Sequence, residues 1–303
     1  MQSALCRGIY AFKGNKMNIL LTGSEGFIGS RIKQILLFNG HNVTPFDIKI
    51  GNNILDIQTL DYCIQSCDVV MHIAAQANLY QMEKLEGGKE GTDFNVQGTH
   101  NIAFLCSKYK KKLIYASTVC VYGNIGKKAT EEVIVNPSDL YAYSKYAGEI
   151  IIKGYAANFN LEYIILRFAT TYGPGMRDAL GTHIFFRQAL SGSDITVHGD
   201  GKQTRTLTHV DDVALGCYHA LKNFDKAKNN IFNISQSERV SAIKMARDIK
   251  EITKSNSKIV HIKQRQNQTF NENICNKKAQ KLLDWKPLYD WKKGLVSMYE
   301  TFK

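Results

Sequence analysis

Thr22-Gly23-Ser24-Glu25-Gly26-Phe27-Ile28-Gly29 joins the apolar run Met17–Leu21 to the amphipathic run Phe27–Phe38. Met17–Leu21 reads as a buried strand, and Phe27–Phe38 as a helix with Ile28, Ile32, Ile35 and Leu36 on one face. At such a junction Gly23 permits a tight turn, Gly26 lets backbone approach a pyrophosphate, and Gly29 allows close helix–strand packing. The helix N-terminus, with Phe27 and Ile28 in its first turn, then offers unpaired N–H groups and a positive dipole end to the phosphates. A glycine triplet alone is weak evidence. Its place between strand and helix, and an acid at the right distance, strengthen it.

That acid is Asp47, which closes the next strand, His41–Phe46. Its carboxylate can accept hydrogen bonds from the adenosine ribose hydroxyls and would repel a 2′-phosphate, which favours NAD over NADP. Lys49 nearby leaves NADP open. Asp56-Ile57 would flank the adenine, and Ala74-Ala75-Gln76 ends the strand Asp68–Ile73 where the dinucleotide should pass.

Outward from this motif, short apolar runs alternate with longer amphipathic ones. Asn39-Gly40 stops the first helix. Pro45 sits badly in a central strand. Lys112–Ser117 and Leu161–Phe168 read as strands, and Asn95–Tyr109 and Tyr141–Asn158 as helices. The alternation predicts an α/β fold with a doubly wound parallel sheet. After Arg167 the rhythm changes at Gly173-Pro174-Gly175. A helix (Val210–Asn223) and a strand (Ile231–Ile234) then restore it, and from Ser235 the chain reads as helical with little sheet signal. This divides the chain into a nucleotide-binding domain (17–168 and 206–234) and a smaller domain of two separated segments (169–205 and 235–303).

The 303 residues are 44% hydrophobic, ample for a sizeable core, and the longest apolar runs are strand-sized. None approaches the roughly 20 residues that span a bilayer, so a soluble protein without a membrane partner is expected. The formal net charge of +12 comes from scattered residues without aromatic interleaving. It reads as a solvated basic surface that would favour an anionic substrate rather than as a nucleic-acid site. Seven cysteines, none in a C-x-x-C pair, fit free thiols in a reducing cytoplasm better than disulfides or a metal site. Residues 1–16 read as an extension, or as an over-long start with Met17 as the working N-terminus.

Tyr141-Ala142-Tyr143-Ser144-Lys145 places Tyr141 and Lys145 one turn apart on one helix face. A phenol with a pKa near 10 is a poor base at neutral pH. A neighbouring ammonium favours the phenolate, so Tyr141 could exchange a proton with a hydroxyl or ketone. Tyr143 has no lysine four residues on. Ser117-Thr118, at a strand end, completes the candidate set.

These residues, with Asp68–Gln76, Asn95-Val96-Gln97-Gly98-Thr99, Val121-Tyr122-Gly123, Arg167, Tyr172–Gly175, Gly199–Arg205, Val210–Val213 and Leu282–Pro287, resemble the extended short-chain dehydrogenases of the NAD-dependent epimerase/dehydratase family. The resemblance runs from Met17 to the C-terminus. It implies a Rossmann fold, bound NAD with Asn95 at its site, a C-terminal domain for a nucleotide sugar, and a homodimer through a four-helix bundle built from the helices near Asn95–Tyr109 and Tyr141–Asn158. It assigns Thr118 to the reacting sugar oxygen, and Arg205 and Arg265 to the substrate diphosphate, for which guanidinium forks are suited.

In similar 4,6-dehydratases Asp-Glu follows the catalytic threonine, and in decarboxylases a glutamate lies two positions after it. Here Val119 and Cys120 stand there, which disfavours both reactions. What remains is 4-epimerisation of a nucleotide sugar, UDP-linked by resemblance. A 4-ketosugar reductase, a nucleotide-sugar 4,6-dehydratase and a non-catalytic NAD-binding regulator are the alternatives. Thr170 replaces the usual substrate-binding asparagine, which leaves a uronic-acid sugar open. Tyr80–Asp93, with Gly87, Gly88 and Gly91, resembles a flexible substrate loop.

Overall fold

The computed structural model describes residues 15–178, 180–264 and 271–303. The first part of the chain runs β1 (Asn18–Thr22), α1 (Phe27–Phe38), β2 (Asn42–Phe46), α2 (Ile57–Gln65), β3 (Val69–His72), α3 (Leu79–Met82), α4 (Leu85–Lys108), β4 (Lys112–Thr118), α5 (Leu140–Phe159) and β5 (Tyr163–Phe168). It continues through β6 (Thr171–Tyr172), α6 (Gly181–Leu190), β7 (Ile195–His198), β8 (Thr204–Arg205), β9 (Thr208–His209), α7 (Val210–Lys222), α8 (Phe224–Ala227) and β10 (Asn230–Ile234). The last elements are β11 (Val240–Ser241), α9 (Ala242–Ile252), β12 (Ile259–Ile262), α10 (Lys277–Leu282) and α11 (Trp291–Tyr299).

Six strands form one sheet in the order β10-β5-β4-β3-β1-β2, and every neighbouring pair is parallel. Side chains alternate across it, as the period of two requires. Ile19, Leu21, Met71, Ile114 and Leu166 face α1 and α7. Leu20, Val70, Leu113 and Ile165 face α2, α4 and α5. Both faces are covered, which is why the strands read as continuous apolar runs. Pro45 is tolerated because β2 is an edge strand. Strand order reverses between β1 and β3, and in such sheets the crevice beyond the carboxyl ends of those strands is where ligands bind.

A third core gathers Tyr172, Phe185, Phe186, Ile195, Val197, Met245, Ile249, Trp291 and Leu295. Here the reading of the chain after Ser235 needs correction. β11 pairs antiparallel with β8, and β12 pairs parallel with β7. These strands are short and find partners many residues earlier, so no local pattern announces them.

The glycine-bearing stretch Tyr80–Asp93 is likewise not a loop. α4 begins at Leu85, ahead of the expected start at Asn95. A Cβ at Gly91 would fall 2.9 Å from the Met82 side chain, and one at Gly88 would fall 2.9 Å from the Met82 carbonyl oxygen. These glycines let α3 lie against α4; they do not loosen the chain.

Candidate active site

The glycine turn follows β1 directly. Gly23 has φ +72°, the left-handed region, and a Cβ there would lie 2.7 Å from the Ala74 nitrogen. A Cβ on Gly29 would fall 1.9 Å from the Gly23 carbonyl oxygen. The N-cap of α1 is Gly26, with no side-chain hydrogen bond, so the first N–H groups of that helix, at Phe27 and Ile28, keep capacity for an anion. A cradle of backbone that any side chain would fill is what a pyrophosphate needs.

Asp47 ends β2 almost fully buried. Its carboxylate accepts from the Glu25 amide at 3.0 Å and the Lys49 amide at 2.9 Å. It thereby holds the glycine turn while its remaining lone pairs suit vicinal hydroxyls. The Lys49 ammonium donates to the Glu25 carbonyl at 2.9 Å. Asp56 caps α2, accepting from the amides of Gln58 and Thr59, and Ile57 beside it is exposed. The residues fit a dinucleotide along this edge.

Beyond β3 the chain carries Ala74, Ala75 and Gln76 past the crevice. Thr22 Oγ1 accepts from the Ala74 amide at 3.2 Å and bonds His72 Nδ1 at 2.8 Å. Burial, and then the Lys145 charge, hold His72 well below the usual histidine range, so it is neutral. Asn95 reaches across from α4. It accepts from the Gln76 amide, donates to the Gln76 carbonyl at 3.0 Å, and donates to Ser144 Oγ on α5 at 2.9 Å. Both its N–H groups are thus engaged by protein. Asn95 thereby braces the Ala74–Gln76 turn against α5.

Thr118 ends β4, and its hydroxyl accepts from the Cys120 amide at 3.2 Å. The same hydroxyl lies close enough to the Tyr141 phenol to influence its titration. Tyr141 stands in the first turn of α5, started by Asp139, which accepts from the Ala142 amide at 2.8 Å. Burial pushes the Tyr141 phenol above the usual tyrosine range; the Arg177 charge and the nearby Thr118 hydroxyl oppose it. One turn on, burial brings Lys145 down to about 7 against the opposing pull of Glu149. The Lys145 ammonium lies 4.2 Å from the centre of the Tyr115 ring. The three catalytic candidates are therefore brought together.

Val119 and Cys120 follow in a short 3-10 turn. Burial raises the Cys120 thiol to about 11, which leaves it neutral. Neither position offers an acid.

Beyond β5, Thr170 Oγ1 donates to Glu272 at 2.9 Å. Glu272 also accepts from the Thr206 amide at 3.2 Å and lies 4.0 Å from Arg205 Nε. Arg205 Nη1 donates to the Thr204 carbonyl. Thr170 and Arg205 thus share one carboxylate. Glu272 escaped the sequence reading because Asn271-Glu272-Asn273 carries no motif; a bridge between Asn271 and Thr204 brings it in. Arg265 lies outside the described residues. Among the described residues no cluster of metal-ligating side chains occurs, and no helix is long and apolar enough to cross a membrane.

Residues 19–235 match the model of the NAD dependent epimerase/dehydratase family. A UDP-N-acetyl-alpha-D-glucosaminuronate decarboxylase of Bacillus cytotoxicus is 32% identical, over 95% of this chain and 98% of that protein. The UDP-glucuronic acid 4-epimerase from Bacillus cereus, solved with UDP-glucuronic acid and NAD, superposes with a TM-score of 0.87 at 27% identity, covering 94% of this chain and 98% of that one. The UDP-glucose 4-epimerase of Thermotoga maritima, solved with UDP-glucose, gives 0.86 at 26% identity with the same two coverages.

Proposed function

Because the chain belongs to the NAD dependent epimerase/dehydratase family, we propose that it is an NAD-dependent nucleotide-sugar 4-epimerase acting on a UDP-linked sugar. One observation carries the reading. Thr118, Tyr141 and Lys145 converge at the strand ends, while the two positions after Thr118 hold a valine and a neutral thiol.

In this reading the glycine turn and Asp47 hold the dinucleotide along the β1–β2 edge. Ala74-Ala75-Gln76, braced by Asn95, guide it toward α5, with Asp56-Ile57 at its adenine end. Bound there, NAD supplies a hydride acceptor and, in the return half, its donor. Tyr141 takes the proton of the sugar C4 hydroxyl as a 4-keto sugar forms, and returns it after the sugar has turned over. Thr118 hydrogen-bonds the same oxygen, and the Lys145 ammonium steadies the phenolate. Arg205 and Arg265 grip the diphosphate, and Thr170 contacts the sugar.

Dehydration and decarboxylation need a further acid or base at the sugar. The two carboxylates near Cys120, Asp139 and Glu272, are engaged in capping α5 and in binding Thr170 and Thr206. A 4-ketosugar reductase is the second reading, favoured by Lys49 beside Asp47. The assignment of residues 17–168 and 206–234 to the nucleotide, and of 169–205 and 235–303 to the sugar, belongs to the same proposal. So do a cytoplasmic setting and a homodimer through α4 and α5, where Phe104, Tyr143 and Ile150 are exposed.

The test is incubation with UDP-glucose, UDP-N-acetylglucosamine and UDP-glucuronate without added cofactor, followed by chromatography and mass spectrometry. An isomer of unchanged mass from one of them is expected. Loss of water or of carbon dioxide would overturn the reading.

A further inference from the structure

Glu149 is wholly buried and has no part in the proton transfer above. It follows Lys145 by one turn and Tyr141 by two, on the same face of α5. Its carboxylate accepts from Arg167 Nε at 2.9 Å and Nη2 at 2.6 Å, a two-pronged pair almost sealed from solvent. Oε1 also accepts from Ser117 Oγ at 2.5 Å. Ser117 immediately precedes Thr118 and faces Arg167 across the β4–β5 pair. One carboxylate on the helix therefore gathers two strands at the point where Thr118 leaves the sheet. Arg167 in turn lies 4.8 Å from the centre of the Tyr122 ring, in the turn that follows Thr118.

A buried ion pair is a weak source of stability, because desolvation offsets much of the attraction and apolar residues of like volume often serve as well. Its placement beneath the reacting groups needs another explanation. We propose that Glu149 is a positioning residue: it locks the Tyr141–Lys145 face of α5 to the strand end carrying Thr118 and sets a negative charge one turn from the Lys145 ammonium. This rests on the epimerase reading above.

The groups around the pair support the electrostatic half. Tyr141 and Glu149 on α5, Tyr115 on β4 and His72 on β3 surround Lys145. Arg167 and Tyr163 on β5, with Tyr115, surround Glu149. Without bound NAD, His72 is neutral and burial raises Tyr115, Tyr141 and Tyr163, which keeps them protonated; the charge of bound NAD then favours the Tyr141 phenolate. Glu149 is thus the anion within this group. By opposing the effect of burial it lets Lys145 keep its proton to higher pH.

Two variants separate positioning from mere support. Glu149→Gln strands the Arg167 charge and is expected to lower the melting temperature. Glu149→Gln with Arg167→Met removes both charges and should recover it. In the double variant the alkaline limb of the kcat–pH profile should still lie about one unit lower, costing about tenfold in kcat above that limb with little change in KM. A spectrophotometric titration of tyrosine should show the matching change in phenolate formation. Ser117→Ala, a milder change, should lower kcat several-fold while KM holds. A double variant with wild-type kcat and pH limb would make the pair structural and overturn the proposal. Should the double variant not fold, an unchanged kcat in Ser117→Ala does the same. Tyr141→Phe is the control: if it stays active, the epimerase reading itself has failed, whatever Glu149 does.

Discussion

Asn95 and Gln76 exchange a reciprocal pair of hydrogen bonds: the Gln76 amide donates to Asn95 Oδ1 at 2.8 Å, and Asn95 Nδ2 donates back to the Gln76 carbonyl at 3.0 Å. The same nitrogen reaches Ser144, three residues after Tyr141. The turn assigned to the dinucleotide and the helix that carries the proposed base are thereby joined through one side chain. Asn95→Asp keeps the shape and removes both N–H donors. Losing buried hydrogen bonds costs about 1–3 kcal/mol for each group left unpaired. The expected result is a lower melting temperature and NAD binding weakened roughly tenfold, read by calorimetry.

Tyr141→Phe should lower turnover by about 10²–10⁴-fold while NAD binding is retained, if the phenol carries the proton as proposed. Turnover by coupled assay and binding by calorimetry check the two halves separately.

Lys145 sets a pH signature on stability. Burial brings it down to about 7 in the folded protein, from a lysine's ordinary 10.5. Between those two values the unfolded chain binds the extra proton, so this residue makes stability rise with pH across that window. The slope from one group is at most about 1.4 kcal/mol per pH unit. Denaturant titrations of wild type and Lys145→Met over the window, without ligand, should show the rise in the first and its loss in the second. Parallel curves would remove Lys145 as the source.

Asp47 should decide between dinucleotides. Asp47→Ser removes the carboxylate, and NAD should weaken about tenfold relative to NADP. A wild-type protein that binds NADP more tightly would favour the reductase reading.

Glu272 puts a negative charge beside Thr170, where the sugar is proposed to sit. A second carboxylate there meets repulsion, so UDP-glucose or UDP-N-acetylglucosamine should outperform UDP-glucuronate. Glu272→Gln should raise the relative kcat/KM for UDP-glucuronate about tenfold, a change of ~1.4 kcal/mol. An unchanged ratio would show that Glu272 does not face the sugar.

Where local chemistry dictates structure, the sequence was a good guide. α1 spans Phe27–Phe38 as its apolar spacing predicts, and the glycine turn sits at the strand–helix junction. Thr118, Tyr141 and Lys145 could be nominated because helix spacing and a strand end place them. Gly88 and Gly91 misled because a glycine that permits helix contact looks, in one dimension, like one that permits a bend. Glu272 and Glu149 were missed for a related reason. Their partners are Thr170 and Arg167, supplied by distant segments, and an isolated acid carries no sign of what it will meet. Asp212 shows the same long reach: it accepts from the amides of Leu288 and Tyr289, tying the start of α7 to the last part of the chain.

Tyr172, two residues after Thr170, fits into α11 only because Gly294 has no side chain; a Cβ there would come within 1.7 Å of the Tyr172 oxygen. This sets an order for biosynthesis. A ribosome delivers β1 to β5 long before α11 emerges, so the half proposed to hold the nucleotide can begin to collapse while the segment behind Thr170 still lacks this support. A nascent chain stalled before Trp291 would hold the proposed base, Tyr141, while Tyr172 still lacked its Trp291 neighbour. Competence therefore waits in translation for Gly294 and the helix that carries it.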